Sequence, residues 1–100
     1  MDAKECMRQE QAVEKCIRQL QALGLKAQKS KLEPGSIIGG TSSTEHHGMQ
    51  MFHETFFIRP DKDGGALVSV AGPGNQVTRR SVQHLEDAPE EVLSIYRLRK

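Results

Sequence analysis

Residues 50–71 read QMFHETFFIRPDKDGGALVSVA, two apolar stretches separated by the sequence Asp61-Lys62-Asp63-Gly64-Gly65. The aromatic and β-branched residues of both stretches favour extended structure. Asp63-Gly64 is typical of a tight turn between antiparallel strands, and Pro60 closes the first stretch. The sequence therefore predicts a β-hairpin with strands at 50–59 and 66–71.

Amphipathic helices are predicted on both sides of this hairpin. Residues 2–23 repeat apolar side chains at helical spacing, and Gly24 stands where a left-handed residue commonly ends a helix. The apolar seam of this helix consists of Cys6, Val13, Cys16, Ile17, Leu20 and Leu23. A second helix is predicted from Asp87 to the C-terminus, because acidic residues begin it and basic residues end it, as the helix dipole favours.

Residues 77–85, VTRRSVQHL, fit either a helix or a strand. A helix would place Arg79 and Arg80 at its positive end and Glu86 and Asp87 at its negative end, so we expect a third strand. The predicted fold class is α+β: a long N-terminal helix, a three-stranded antiparallel meander and a C-terminal helix, with both helices on one face of the sheet.

Residues 25–49 are the part of the chain that periodicity does not assign. Ile37-Ile38 precedes two glycines, and the polar tract Thr41–Gly48 follows them. A structureless stretch of this length is uncommon in a compact domain. We expect either a short strand around Ile37-Ile38 or a long mobile loop that carries a binding function.

Length and composition limit the possible functions. One hundred residues make a single domain with one thin core. Fourteen basic against thirteen acidic residues give a net charge of +1, without the strong basic excess of a protein that binds nucleic acid mainly through phosphates. No apolar run is long enough to cross a membrane, and the N-terminus lacks the apolar stretch of a signal peptide. A cytoplasmic location is therefore expected.

Several clusters of ligating or reactive residues occur in the sequence, but none matches an established site. Histidines and carboxylates crowd into Glu45–Glu54, but their spacing matches no standard metal motif, so His46, His47 and His53 are not assigned as ligands. The Gly72–Asn75 turn could offer backbone N–H groups to an anion, yet it lacks the phosphate-loop pattern. Both cysteines fall on the predicted buried side of the first helix, where a thiol is not activated. No catalytic residue, metal or cofactor is therefore predicted.

The function that remains is a small non-enzymatic protein-interaction or regulatory module with another protein as its partner. Its contact surface would be the Thr41–Gly48 loop or a sheet face bearing Met51, His53, Thr55 and Phe57, since aromatic residues and methionine are enriched at interfaces. The alternative is weak binding of nucleic acid or a phosphate ligand through Arg79 and Arg80 together with the C-terminal basic residues Arg97, Arg99 and Lys100.

Self-association through helix 2–23 is a further prediction. Twenty-two residues of helix span about 33 Å, which is long for a domain of this size. A sheet of short strands would leave one end of that seam uncovered, and a symmetric homodimer would bury it.

Overall fold

The protein is described here by a computed structural model that covers residues 3–98, without the side chains of Glu5, Cys6 and Asn75. These residues form an α+β fold in which two helices flank seven strands. The elements in chain order are α1 (Ala3–Ala22), β1 (Lys26–Lys29), β2 (Ile37–Gly40), β3 (Ser42–His46), β4 (Met49–His53), β5 (Phe56–Pro60), β6 (Ala66–Ala71), β7 (Val77–Val82) and α2 (Ala88–Leu98). In the described part of the chain, neither helix has the length and apolar content needed to cross a bilayer.

The predicted three-stranded sheet was wrong in its number of strands. The main sheet has five antiparallel strands in the order β1-β2-β5-β6-β7, and β3 and β4 form a separate two-stranded sheet. The additional strands β1, β2 and β3 lie in residues 25–49, where short strands and polar side chains gave no periodic pattern. The meander β5-β6-β7 is present as the C-terminal part of this larger sheet.

The core lies between the helices and one face of the five-stranded sheet. Ile37, Ile58 and Val68 are cross-strand partners, and each is completely buried. One cluster contains buried residues of both helices, namely Val13, Cys16 and Leu20 of α1 and Ala88, Val92, Ile95 and Tyr96 of α2. We refer to this side of the sheet as the helix face.

Helix α1 ends as the sequence predicts. Gly24 adopts the left-handed conformation with φ of 88°, and its N–H donates to the Gln21 carbonyl. The Leu25 N–H donates to the Leu20 carbonyl at 3.1 Å, which completes a Schellman cap, and both leucines are buried. Leu23, which the seam includes, is 42% exposed because the helix ends before its side chain reaches the core. The Cys6 side chain lies outside the described part.

The sheet extends to β1 because β2 carries glycine where the two strands meet. A Cβ at Gly39 would collide with the Lys26 carbonyl and would lie 2.6 Å from the Phe56 ring. Only glycine therefore allows the Phe56 ring to fill the core beneath the β1–β2 pair. Sequence analysis recognised Gly39 only as the end of a possible strand.

The strand predicted at 50–59 is interrupted. Glu54 has φ of 44° and separates β4 from β5, so Met51 and His53 belong to the small sheet and Phe57 to the large one. Thr55 lies between them, and its hydroxyl donates to the Phe52 carbonyl at 3.1 Å. The strand expected at 77–85 is confirmed as β7, although it ends at Val82.

Candidate functional site

One side of the five-stranded sheet is not part of the core. The register aligns one residue from each strand on this side, in the order Gln28, Ile38, Phe57, Ser69 and Arg79. Flanking positions on the same side add Lys26, Arg59, Leu67, Ala71, Val77 and Ser81. We call these eleven residues the open face.

The centre of the open face is apolar. Ile38 and Phe57 are direct cross-strand partners, and Leu67 lies on the next strand beside Phe57. All three are half-buried, whereas Ile58 and Val68 on the helix face of the same strands are fully buried. Because both described helices pack on the other face, neither of them covers this apolar centre.

The charged side chains of the open face are all basic. Arg59 is paired with Glu33, whose carboxylate is 2.7 Å from the guanidinium Nε. Lys26 and Arg79 make no ion pair with any described residue. The strands contribute no carboxylate to this face, so it presents two uncompensated positive charges around an apolar centre.

A cleft extends the open face towards the N-terminal strands. It has a volume of about 560 Å³ and lies between the sheet, the turn after β1 and the hairpin formed by β3 and β4. Its apolar lining includes Leu32, Ile38, Met49 and Phe52. Leu32 is 97% exposed in the turn after β1.

Arg79 and Arg80 do not form one cationic patch. Arg79 is the cross-strand partner of Ser69 on the open face, but Arg80 is the partner of Val68 and lies on the helix face. There Arg80 is 3.2 Å from the carboxylate of Glu91 in α2, which compensates its charge. Arg97 is exposed on α2, and Arg99 and Lys100 lie outside the described residues.

The predicted contact set of Met51, His53, Thr55 and Phe57 is divided between two sheets by Glu54. Met51 and His53 lie on the hairpin of residues 42–53, which we call the arm. In the arm, His47 and Gly48 both have positive φ and form the two-residue turn between β3 and β4. The Thr41–Gly48 stretch is thus mostly the first strand of the arm and its turn.

The clustered histidines do not assemble a conventional metal site. No group of three histidine, cysteine, aspartate or glutamate side chains within residues 3–98 is placed to hold a metal ion. His46 and His47 have ring centroids 4.2 Å apart at the tip of the arm, and His53 lies at its base, opposite Ser42. Glu45 is across from Gln50, on the other side of the arm.

Two further candidate groups are Cys16 and the backbone of the Gly72–Asn75 turn. Cys16 is 2% exposed, and desolvation by burial raises the pKa of its thiol to about 11. A thiol with such a pKa is not a nucleophile at neutral pH. The Gly72 N–H donates to the Gln76 carbonyl at 2.7 Å and closes the turn with this bond instead of offering it to an anion.

The sequence pattern did not place Ile38 and Leu67 on the same side of the sheet as Phe57. The only local sign of them was the apolar pair Ile37-Ile38 and the alternation in 66–71. Comparison of the chain with protein-family models, curated proteins and solved structures found no match.

Proposed function

We propose that this protein is a non-enzymatic interaction module that binds a partner protein on the open face of its sheet. The observation that carries the proposal is the half-buried apolar centre of Ile38, Phe57 and Leu67, on the side of the sheet opposite both described helices. Its partner would present an apolar or aromatic segment with carboxylates at its margins.

The apolar centre would supply most of the affinity. A half-buried phenylalanine in the middle of a sheet can be desolvated completely by a partner, and such central aromatic residues dominate binding energy. Complementary carboxylates opposite Lys26 and Arg79 would fix the orientation and accelerate association. The neighbouring cleft at Leu32 would enlarge the contact.

A protein partner is favoured over nucleic acid. Only Lys26 and Arg79 are uncompensated on this face, and each phosphate contact contributes little without others. Arg80, which the nucleic-acid hypothesis requires beside Arg79, lies on the other side of the sheet. The net charge of +1 likewise favours a protein partner over nucleic acid.

The test is a selection of random peptides against the full chain. Peptides of about ten residues are long enough to cross five strands spaced ~4.8 Å apart. We expect the selected sequences to combine aromatic or aliphatic residues with aspartate or glutamate. Phe57→Ala should weaken their binding about tenfold or more, because it removes the central apolar contact. Arg79→Glu should abolish the acidic preference.

Matched controls separate the open face from other surfaces. Leu98→Ala removes an exposed leucine from α2, and Arg97→Glu reverses an exposed charge on the same helix. Neither should change binding by as much as the open-face variants. The proposal would be contradicted if the control variants weakened peptide binding as much as Phe57→Ala and Arg79→Glu do. Selected peptides without carboxylates would also contradict it. Binding of single-stranded oligonucleotides with a steep salt dependence that Arg79→Glu removes would favour nucleic acid instead.

A further inference from the structure

The arm exposes an unusual set of side chains on one of its two sides. The register pairs His46 with Met49, Thr44 with Met51 and Ser42 with His53, so these six residues share one side. The opposite side carries the half-buried pair Ser43 and Phe52. Met49 is 66% and Met51 is 54% exposed, although methionine is commonly buried.

The register places the three donor side chains at neighbouring positions on one side of the arm. Directly opposed residues in an antiparallel pair have Cβ atoms about 5 Å apart, which applies to His46 and Met49. Met51 is two residues along the same strand, and its Cβ lies about 7 Å from that pair. Exposed methionine side chains are long and flexible enough for both sulfurs and one imidazole nitrogen to converge between the two strands.

These donors select a soft metal ion. Thioether sulfur is a poor ligand for zinc and other borderline or hard cations, but it suits copper(I), and imidazole accepts the same ion. Within residues 3–98, no group of three His, Cys, Asp or Glu side chains is placed to hold a zinc ion instead. Glu45 is adjacent in sequence but lies on the other side of the arm.

We propose that the arm binds one copper(I) ion through the sulfurs of Met49 and Met51 and an imidazole nitrogen of His46, at a site separate from the open face. His53, the next residue along this side beyond Met51, extends the array towards the base of the arm. The proposal does not depend on the protein-interaction function, since none of its three ligands is one of the eleven open-face residues, although Met49 also lines the adjoining cleft.

Methionine methyl resonances give the direct test. The chain has four methionines, and Met7 on α1 is 58% exposed, so it is an internal control of similar exposure at protein concentrations well below about 100 μM, where a dimer through α1 would not cover it. The protein is labelled at the methionine methyl carbons in a Cys6→Ser, Cys16→Ala background, because thiolates also bind soft ions. Circular dichroism verifies that this double variant is folded. If the variant with Cys16→Ala is unfolded, Cys16→Val is used in its place. Silver(I), which has the same ligand preference and is stable in air, is then titrated.

The expected result is movement of the Met49 and Met51 resonances with saturation at one equivalent, while Met7 does not move. Copper(I) affinity is measured anaerobically by competition with a chromogenic copper(I) chelator. Met49→Leu, Met51→Leu and His46→Asn should each lower it about tenfold or more. Met7→Leu and His84→Asn are the matched controls and should leave it unchanged.

Three results would overturn the proposal. The first is equal movement of Met7 and the arm methionines, which indicates nonspecific contact of silver with any exposed thioether. The second is an affinity unchanged by both leucine variants. The third is tighter binding of zinc than of copper(I), with only histidine resonances moving, which would assign the arm to a borderline imidazole site.

Discussion

Cys16 is the residue whose chemistry is altered most by the fold. It lies in α1 among the core residues, 2% exposed, and desolvation raises the pKa of its thiol from 9.0 to about 11. The unfolded chain releases this proton at a lower pH than the native protein does. Between the two values the native state therefore binds more protons, and its stability falls as the pH rises.

We accordingly expect a loss of stability between pH 9 and pH 11 that depends on Cys16. Its contribution is fully present below pH 9, and each unit of pKa difference corresponds to about 1.4 kcal/mol. Urea unfolding at several pH values measures this contribution to the free energy of unfolding. It compares the protein that has Cys16 with the Cys16→Ala variant, and both carry Cys6→Ser. The difference in unfolding free energy between the two should shrink as the pH rises. A constant difference would mean that the thiol ionises normally.

At the scale of elements, the arm is an extension of the sheet rather than an independent unit. The pairing of Ile37 with Ile58 and that of Ser42 with His53 follow one continuous antiparallel register. The backbone change at Glu54 redirects the hairpin away from the main sheet. Beyond that point only Ser43 and Phe52 are half-buried, and the other arm residues are exposed.

The arm should therefore be removable without loss of the fold. Replacement of residues 42–53 by Asn-Gly joins Thr41 to Glu54 by a short turn and retains the Glu54 carbonyl, to which the Tyr96 hydroxyl donates. We expect the thermal midpoint to change by less than about 8 °C, which corresponds to a loss of about 1 kcal/mol in the free energy of unfolding. Leu20→Ala, a core truncation that costs about 2–5 kcal/mol, should lower it further.

The same deletion distinguishes the two proposed sites. Copper(I) binding should disappear with the arm, while peptide binding to the open face should persist in weakened form because Met49 and Phe52 line the adjoining cleft. Unfolding of the shortened chain would instead assign the arm a structural role.

For the whole molecule, the length of α1 is the notable feature. The described residues before Val13 in this helix are exposed or half-buried, so roughly its first half projects from the core. A two-fold axis near Met7 would set two such helices antiparallel and place Lys4 of one chain opposite Glu10 of the other. The methionine would then be covered, and the charges would be complementary.

The homodimer through residues 2–23 stays a prediction, and light scattering after gel filtration measures it. We expect a mass near twice 11.1 kDa at concentrations of about 100 μM, typical of a weak interface of one helix pair. Met7→Glu should return the protein to a monomer, because it puts two like charges at the axis. Met49→Glu on the arm is the control and should leave the dimer mass unchanged. A single-chain mass at every concentration would exclude the dimer.

The sequence by itself determined the elements whose signals are local. Gly24 specified the end of α1, and Asp63-Gly64 specified the turn between β5 and β6, where the Asp61 carboxylate accepts the Gly65 N–H at 3.0 Å. The charges around Arg79 and Glu86 correctly favoured a strand at β7. Each of these features depends on atoms only a few residues apart, so the residue pattern records it directly.

Only the tertiary structure decided the breadth of the sheet and the composition of the open face. Lys26–Lys29 has no apolar alternation and is a strand because its backbone pairs with β2. Ile38 and Phe57 are neighbours because of the register between two strands that are distant in sequence. Backbone hydrogen bonds are chemically the same for every residue, so side-chain pattern alone cannot fix which strands pair or in what register.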